Sequence, residues 1–476
     1  AALLGLLLLL MTPPPLAGWR LTAFFILGFI PASELALALV NRAVITRTGP
    51  ACLPGLELRD GIPENLRTLL VVPTLLTGTD AIERQIQQLE VHYLANAHGD
   101  LRFVLLSDWL DSDGETAPTD AALLQTAMDG IAELNRRHRP LPDGPRFYLL
   151  HRRRLWNAVE GKWMGWERKR GKLHEMNRLL RGATDTSFLE IRDQAPLPSG
   201  VRYVITLDAD TRLPRGAARK LVGKMAHPLN VPRLDPSLCR VVEGHGILQP
   251  RVTPSLPVGS VGSLFQWVFS GPNGLDPYAF AVSDIYQDLF DEGSYVGKGI
   301  YDIDAFEAAL HRRIPQNAVL SHDLLEGSFA RAALASDVEV VEEFPSRYDV
   351  EMARQHRWVR GDWQLLPWIF ARGRDLVGGR HRTRIPALAR WKMFDNLRRS
   401  LFAPAILLAI LWGWSLHFHD ALLWSAFVFA AIALPPLLPL AGGLVRSRPE
   451  ISQASHLRSL GRDFALAGMQ ILFVTT

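Results

Sequence analysis

The sequence predicts an α/β protein: a mostly parallel sheet with helices on both faces, flanked by transmembrane helices. Three observations predict it. Apolar runs cluster at the two ends of the 476-residue chain. Between about 65 and 340, short β-branched runs alternate with helical patterns. One such run, Val201-Arg-Tyr-Val-Ile-Thr-Leu-Asp208-Ala-Asp210-Thr, stops abruptly at two carboxylates one residue apart. A buried strand that ends at the rim of a sheet reads this way. The length exceeds one ordinary domain. The expected division is 1–45 transmembrane helices, 46–64 a cytoplasmic linker, 65–350 a cytoplasmic α/β domain, 351–400 interfacial helices and 401–476 transmembrane helices.

Leu3–Met11 is apolar, and Leu21–Val40 follows a Pro13-Pro14-Pro15 turn and Trp19. Leu401–His419 and Ala421–Val445 are apolar too, and Phe464–Val474 begins another such run. A span needs about 20 residues, which the complete runs supply. Glu34 interrupts the second run, and a snorkelling or helix-facing carboxylate is the expectation there. The runs at both ends are incomplete, as in a piece of a longer chain. No charged segment precedes the first run and a second span follows, unlike a signal peptide. Arg42 and Arg47 follow the second span; Arg390, Lys392, Arg398 and Arg399 precede the third. Arg446, Arg448, Arg458 and Arg462 lie between the fourth and fifth, whereas the hairpin His417-Phe-His-Asp420 lacks Lys and Arg. Positive charge marks the cytoplasmic side, so the middle region and the 446–462 loop are expected there. Cys52 and Cys239 fit a reducing compartment and form neither a zinc-site spacing nor a disulfide framework.

Within the middle region, Thr68–Val72 is the first expected strand. Asp80 can cap a helix carrying Ile82, Ile86, Leu89 and Tyr93 at helical spacing. Arg102–Ser107 is the next strand, then a helix near 119–138, a strand at Phe147–Leu150, a helix near 173–181 and the strand Tyr203–Leu207. The turn from Val72 to Asp80 can receive part of a nucleotide or be a plain βα loop. No P-loop or dinucleotide glycine pattern is present.

Ligands of open α/β folds sit at the carboxyl ends of the strands. Asp208 and Asp210 there suit Mg²⁺ or Mn²⁺ held with a diphosphate, or else form a solvated turn. Asp108, at the end of Phe103-Val-Leu-Leu-Ser-Asp108, can accept hydrogen bonds from a nucleotide's base or ribose, or cap a helix. The stretch from Arg152 to Asn177 is strongly basic. It lies inside an α/β pattern with membrane flanks, which favours a phosphate-facing Gly171-Lys172 before a helix over nucleic acid. Asp323, in Ser321-His322-Asp323-Leu-Leu-Glu326, opens an apolar-periodic helix as a candidate general base or an N-cap. Arg354 and Arg357 stand at i and i+3 on one helical face and can stabilise a departing diphosphate. Trp358 offers a flat face for a sugar ring. The same stretch, with Trp363 and Trp368, also fits an amphipathic helix at the membrane surface.

Taken in order, these motifs are similar to GT-A-fold, family 2-like processive glycosyltransferases. More narrowly, the chain resembles the glycosyltransferase domain of bacterial cyclic β-1,2-glucan synthases. The likeness rests on Leu106-Ser-Asp108, Arg152-Arg-Arg, Gly171-Lys172-Leu-His-Glu-Met-Asn177, Leu207-Asp-Ala-Asp210, Gly246-Ile-Leu-Gln-Pro250, Gly297-Lys-Gly-Ile-Tyr-Asp302, Leu320-Ser-His-Asp-Leu-Leu-Glu326 and Arg354-Gln-His-Arg-Trp-Val-Arg-Gly-Asp-Trp363. It implies a multi-pass enzyme of the bacterial inner membrane that transfers glucose from UDP-glucose, with inversion, to a growing β-1,2-glucan. Asp108 would bind the UDP moiety, Asp208 and Asp210 the sugar diphosphate and metal, and Asp323 would be the base. Arg357 and Trp358 match the arginine–tryptophan signature. Many processive enzymes have Gln where this chain has Arg354, which leaves acceptor and diphosphate both open as its partner. The resemblance implies a polypeptide that carries further domains and grows the glucan on the protein itself. The alternatives are another processive synthase, β-1,6 or β-1,4, and a membrane scaffold that binds nucleotide sugar without turnover.

Overall fold

The computed structural model describes residues 2–11, 18–48, 50–192, 194–255, 284–320, 322–370 and 385–443, with isolated positions among 263–266 and 461–469. The Pro13–Pro15 turn, Ser321, the arginines of the 446–462 loop and most of the fifth apolar run lie outside the described residues.

The main sheet has eight strands: β1 (Thr68–Leu76), β2 (Leu101–Trp109), β3 (Phe147–His151), β4 (Tyr203–Thr206), β5 (Thr211–Arg212), β6 (Ile247–Pro254), β7 (Gly299–Asp302) and β8 (Ala332–Glu342). Their order across the sheet is β3-β2-β1-β4-β7-β6-β8-β5. Pairings β2–β3, β1–β2, β1–β4 and β6–β8 are parallel. Strand β7 runs antiparallel to β4 and β6, and β5 antiparallel to β8. The sheet is therefore mostly parallel, as the strand–helix alternation predicted.

Among the described residues the α-helices are α1 (Ala2–Leu10), α2 (Trp19–Thr48), α3 (Thr79–Asn96), α4 (Asp120–Arg137), α5 (Arg168–Leu180), α6 (Ala217–Met225), α7 (Ile285–Phe290), α8 (Ile303–Leu310), α9 (Asp323–Ala330), α10 (Tyr348–Gln364), α11 (Leu366–Ile369), α12 (Ala387–Ser400), α13 (Phe402–Gly413) and α14 (Phe418–Gly443). Successive strand residues point to opposite faces. Leu70, Val72, Phe103 and Leu105 accordingly join one core with Ile82 and Leu89 of α3, Ile131 of α4 and Leu221 of α6. Leu69, Val71, Val104 and Leu106 join the other with Met176 of α5, Phe306 of α8, Phe329 of α9 and Met393 of α12. Both faces are covered, so these strands read as unbroken apolar runs.

Several boundaries differ from expectation. The N-cap of α3 is Gly78, and Asp80 sits inside the first turn without capping it. Helix α5 begins at Arg168, so Gly171 and Lys172 lie inside its first turns rather than before it. A Cβ on Gly171 would stand 1.9 Å from the Trp166 carbonyl, which explains a glycine within a helix. Residues expected as a linker pack on α6, where Leu56 N donates to Gly223 O at 3.0 Å.

Among the described residues two helices, Trp19–Thr48 and Phe418–Pro435 within α14, are long and apolar enough to cross a membrane. The run 401–419 is a shorter helix, α13, followed by a turn. Leu4, Phe24, Ile406, Ala409, Trp424 and Val428 form a third core that joins α1, α2, α13 and α14. Glu34 faces a helix: its Oε2 lies 2.6 Å from Arg398 Nη1 on α12. Trp368 is buried among the sheet-side residues of the second core, not at an outer surface.

Candidate active site

Parallel strands bring their carboxyl ends to one rim, and an antiparallel strand brings its start to the same rim. Asp108 closes β2, Asp208 and Asp210 follow β4, and Glu342 ends β8. Lys298 immediately precedes β7, whose pairing sets Gly299 opposite Thr206. Topology thus gathers residues separated by more than two hundred positions.

Asp208, Asp210 and Glu342 each offer a carboxylate oxygen, all within 4.8 Å of one another. Hard oxygen donors so placed suit Mg²⁺ or Mn²⁺. Two lysines serve the same group. Lys298 Nζ lies 3.0 Å from Asp208 Oδ2 and 2.6 Å from Glu342 Oε2. Lys169 Nζ bonds the other oxygen of Asp208 and donates to Gly297 O at 2.7 Å. Burial opposes charge on Asp208, but the ammonium groups of Lys169 and Lys298 outweigh it and hold the carboxyl far below its usual range. Asp210 goes the other way: burial, then Glu342 and Asp208, push it up to about 6. Sequence reasoning missed Glu342, Lys169 and Lys298. The Gly297-Lys-Gly string was visible as a motif, but nothing local pointed it at Asp208.

Arg354 belongs to this cluster. Its Nη1 is 3.5 Å from Glu342 Oε1, its Nε 3.0 Å from Glu351 Oε2, and its guanidinium sits 4.8 Å from the Trp358 ring centre. Arg357, one turn on, is exposed and makes no ion pair among the described residues.

A second triad, His322, Asp323 and Glu326, also has its ligand atoms within 4.8 Å. His322 Nδ1 lies 2.9 Å from Glu326 Oε1 and 3.6 Å from Asp323 Oδ1. His322 occupies the N-cap position of α9, so Asp323 is the first helical residue and not the cap. Burial raises the Asp323 carboxyl above its ordinary value, aided by Glu326 and Asp208 and opposed by His322 and Lys169. The two triads meet at Gly297. A Cβ there would stand 2.8 Å from Asp323 Oδ1, while its carbonyl accepts from Lys169.

Asp108 and Lys172 lie in a separate buried network. Arg152 grips Asp108 with two bonds of 2.7 and 2.9 Å and reaches Glu175 Oε2 at 2.8 Å. Lys172 Nζ is 3.0 Å from Asp108 Oδ2 and donates to Thr74 O at 2.8 Å. Burial lowers the Lys172 pKa to about 8, against the pull of Asp108. Arg154 pairs with Asp120. Two arginines of the basic run are therefore internal rather than a charged face. Asp108 and Lys172 line a cavity of ≈ 450 Å³ together with Pro73, Thr74, Lys169 and Ala209. It lies over the ends of β1 and β2, with Lys169, the partner of Asp208, in its wall, and its volume is within the range of small-ligand sites.

No family model matches the chain. Over 444 residues, 93% of its length, it is 52% identical to the cyclic beta-(1,2)-glucan synthase NdvB of Rhizobium meliloti (strain 1021). The chain is homologous to that stretch of a cyclic β-(1,2)-glucan synthase. It spans 15% of that protein's length. Among solved structures, the mannosyltransferase PcManGT from Pyrobaculum calidifontis, in complex with GDP-Man and Mn²⁺, aligns at 14% identity and a TM-score of 0.42, over 95% of this chain and 99% of that one.

Proposed function

We propose that the chain is the GT-A-type glycosyltransferase part of a longer cyclic β-1,2-glucan synthase, transferring glucose from UDP-glucose to a growing glucan with inversion. The observation that carries this is the meeting of an oxygen-donor cluster and a separate carboxylate at Gly297, on one rim beside a nucleotide-sized cavity. The 52% identity supports the linkage.

In this reading the cavity over Thr74 and Asp108 takes the uridine, with Lys172 in its wall. Asp208, Asp210 and Glu342 hold Mg²⁺ or Mn²⁺, which neutralises diphosphate charge when bound. Lys169, Arg354 and Arg357 supply fixed positive charge to the leaving UDP. Asp323 removes the proton from the acceptor hydroxyl as that oxygen attacks the anomeric carbon from the face opposite the diphosphate. Its raised pKa makes it a better proton acceptor than an exposed carboxylate. Trp358 stacks on the acceptor ring beside Arg354. In this reading the chain is a multi-pass protein of the bacterial inner membrane with its catalytic domain in the cytoplasm, a reading supported by the apolar helices α2 and α14 and by the arginines around Arg42 and Arg398. The test is incubation of membranes bearing the protein with UDP-glucose and either metal, followed by linkage analysis. A β-1,2-glucan is expected; a β-1,4 or β-1,6 product, or binding without turnover, would overturn the assignment.

A further inference from the structure

The three carboxylates offered to a divalent cation already have a resident. Lys298 has only 7% of its side chain exposed, and its one ammonium spans Asp208 and Glu342. Lys169 takes the second oxygen of Asp208, and Arg354 reaches the second oxygen of Glu342. Asp210 alone makes no ion pair among the described residues. The Lys298 backbone is pinned on both sides. Gly297 has φ +83° against Asp323, and a Cβ on Gly299, at φ +141°, would stand 2.3 Å from Leu248 O. Only the flexible side chain can move.

A cation arriving alone would have to evict this ammonium and leave it buried without counter-charge, which is costly. A diphosphate arriving with the cation brings new acceptors for the same ammonium. We infer that Lys298 is an exchangeable counter-ion: it holds Asp208 and Glu342 together before donor binding, then shifts to the donor's diphosphate, so that metal and donor bind as a coupled pair. The inference rests on the metal-dependent donor site proposed above.

The experiment measures Mn²⁺ binding to the purified full chain by electron paramagnetic resonance, with and without UDP. In the unmodified protein, saturating UDP should tighten Mn²⁺ by about tenfold or more, and Mn²⁺ should tighten UDP by the same factor, because binding linkage is reciprocal. In Lys298→Met, Mn²⁺ should bind tightly without UDP, and the coupling factor should fall toward one. Lys298→Arg should retain most of the coupling. Lys169→Met, which frees only one oxygen of Asp208, should give a smaller change in the same direction. Equal Mn²⁺ affinity with and without UDP in the unmodified protein overturns the inference without any variant. So does an unchanged donor-free Mn²⁺ affinity in Lys298→Met, while leaving the metal site itself standing. UDP binding with no Mn²⁺ binding in any form overturns the metal reading and this inference together.

Discussion

The two acidic triads on either side of Gly297 are built from similar residues and differ in what balances their charge. At Asp208, Asp210 and Glu342 the balance comes from the ammonium groups of Lys169 and Lys298 and the guanidinium of Arg354. At Asp323 and Glu326 it comes from His322, which titrates. Fixed charge suits a site that exchanges ions. A titratable neighbour suits a site that moves a proton. One glycine separates them, with its carbonyl turned to Lys169 and its Cα against Asp323.

Asp323→Asn should break the proton-transfer side. It keeps shape and loses the ability to accept a proton, so transfer should fall by about 10²-fold or more. UDP affinity should stay, and calorimetric UDP titration beside a turnover assay separates the two. Near-normal turnover would return Asp323 to a structural role and shift attention to Glu326.

Asp210→Ala should break the ion-exchange side, weakening metal affinity by about tenfold or more. The readout is the Mn²⁺ dependence of UDP-glucose binding; unchanged dependence and turnover would exclude the site. Arg357→Ala should lower both transfer and UDP affinity, because product UDP carries the charge that this arginine is proposed to stabilise. Loss of transfer with UDP affinity intact would place Arg357 on the acceptor instead.

The smallest effect sharpens the contrast through pH. Burial opposes charge on His322, but Glu326 beside it outweighs burial and lifts the imidazole above its ordinary 6.5. A raised histidine pKa contributes stability that is fully present below the unfolded value and lost as pH rises through the folded value. The melting-temperature gap between the unmodified protein and His322→Asn should therefore be widest near pH 6 and shrink on the alkaline side. A gap that widens with pH would show that His322 acts uncharged. Turnover should rise with pH as Asp323, held above its ordinary range, loses its proton.

Much of the parallel half of the sheet was legible in the sequence. Strands β1 to β4 carry unbroken apolar runs that end in polar residues, and α3 and α4 show helical spacing. The other half was not assigned. Strand β7 is four residues, β5 is two, and β8 carries Asp337 and Glu339 within its run. Such short or interrupted patterns do not fix a period. The start of α5 was misplaced because Arg168-Lys-Arg has no apolar stripe to mark a face.

What the sequence determined by itself was the local part: the strand end that presents Asp208 and Asp210, the helix that opens at Asp323, the turn of helix that links Arg354 to Trp358, and the apolar runs at each end. Each depends on periodicity or on neighbours within a few residues. What only the tertiary structure decided was partnership. Glu342 and Lys298 meet Asp208 because an antiparallel strand starts at the rim where the parallel strands end. Arg152 closes on Asp108 because it follows β3, the neighbour of β2, and Lys172 because α5 packs against the sheet. Charge pairing across such distances in sequence leaves no periodic trace, since any carboxylate can meet any cation once the backbone has brought them together.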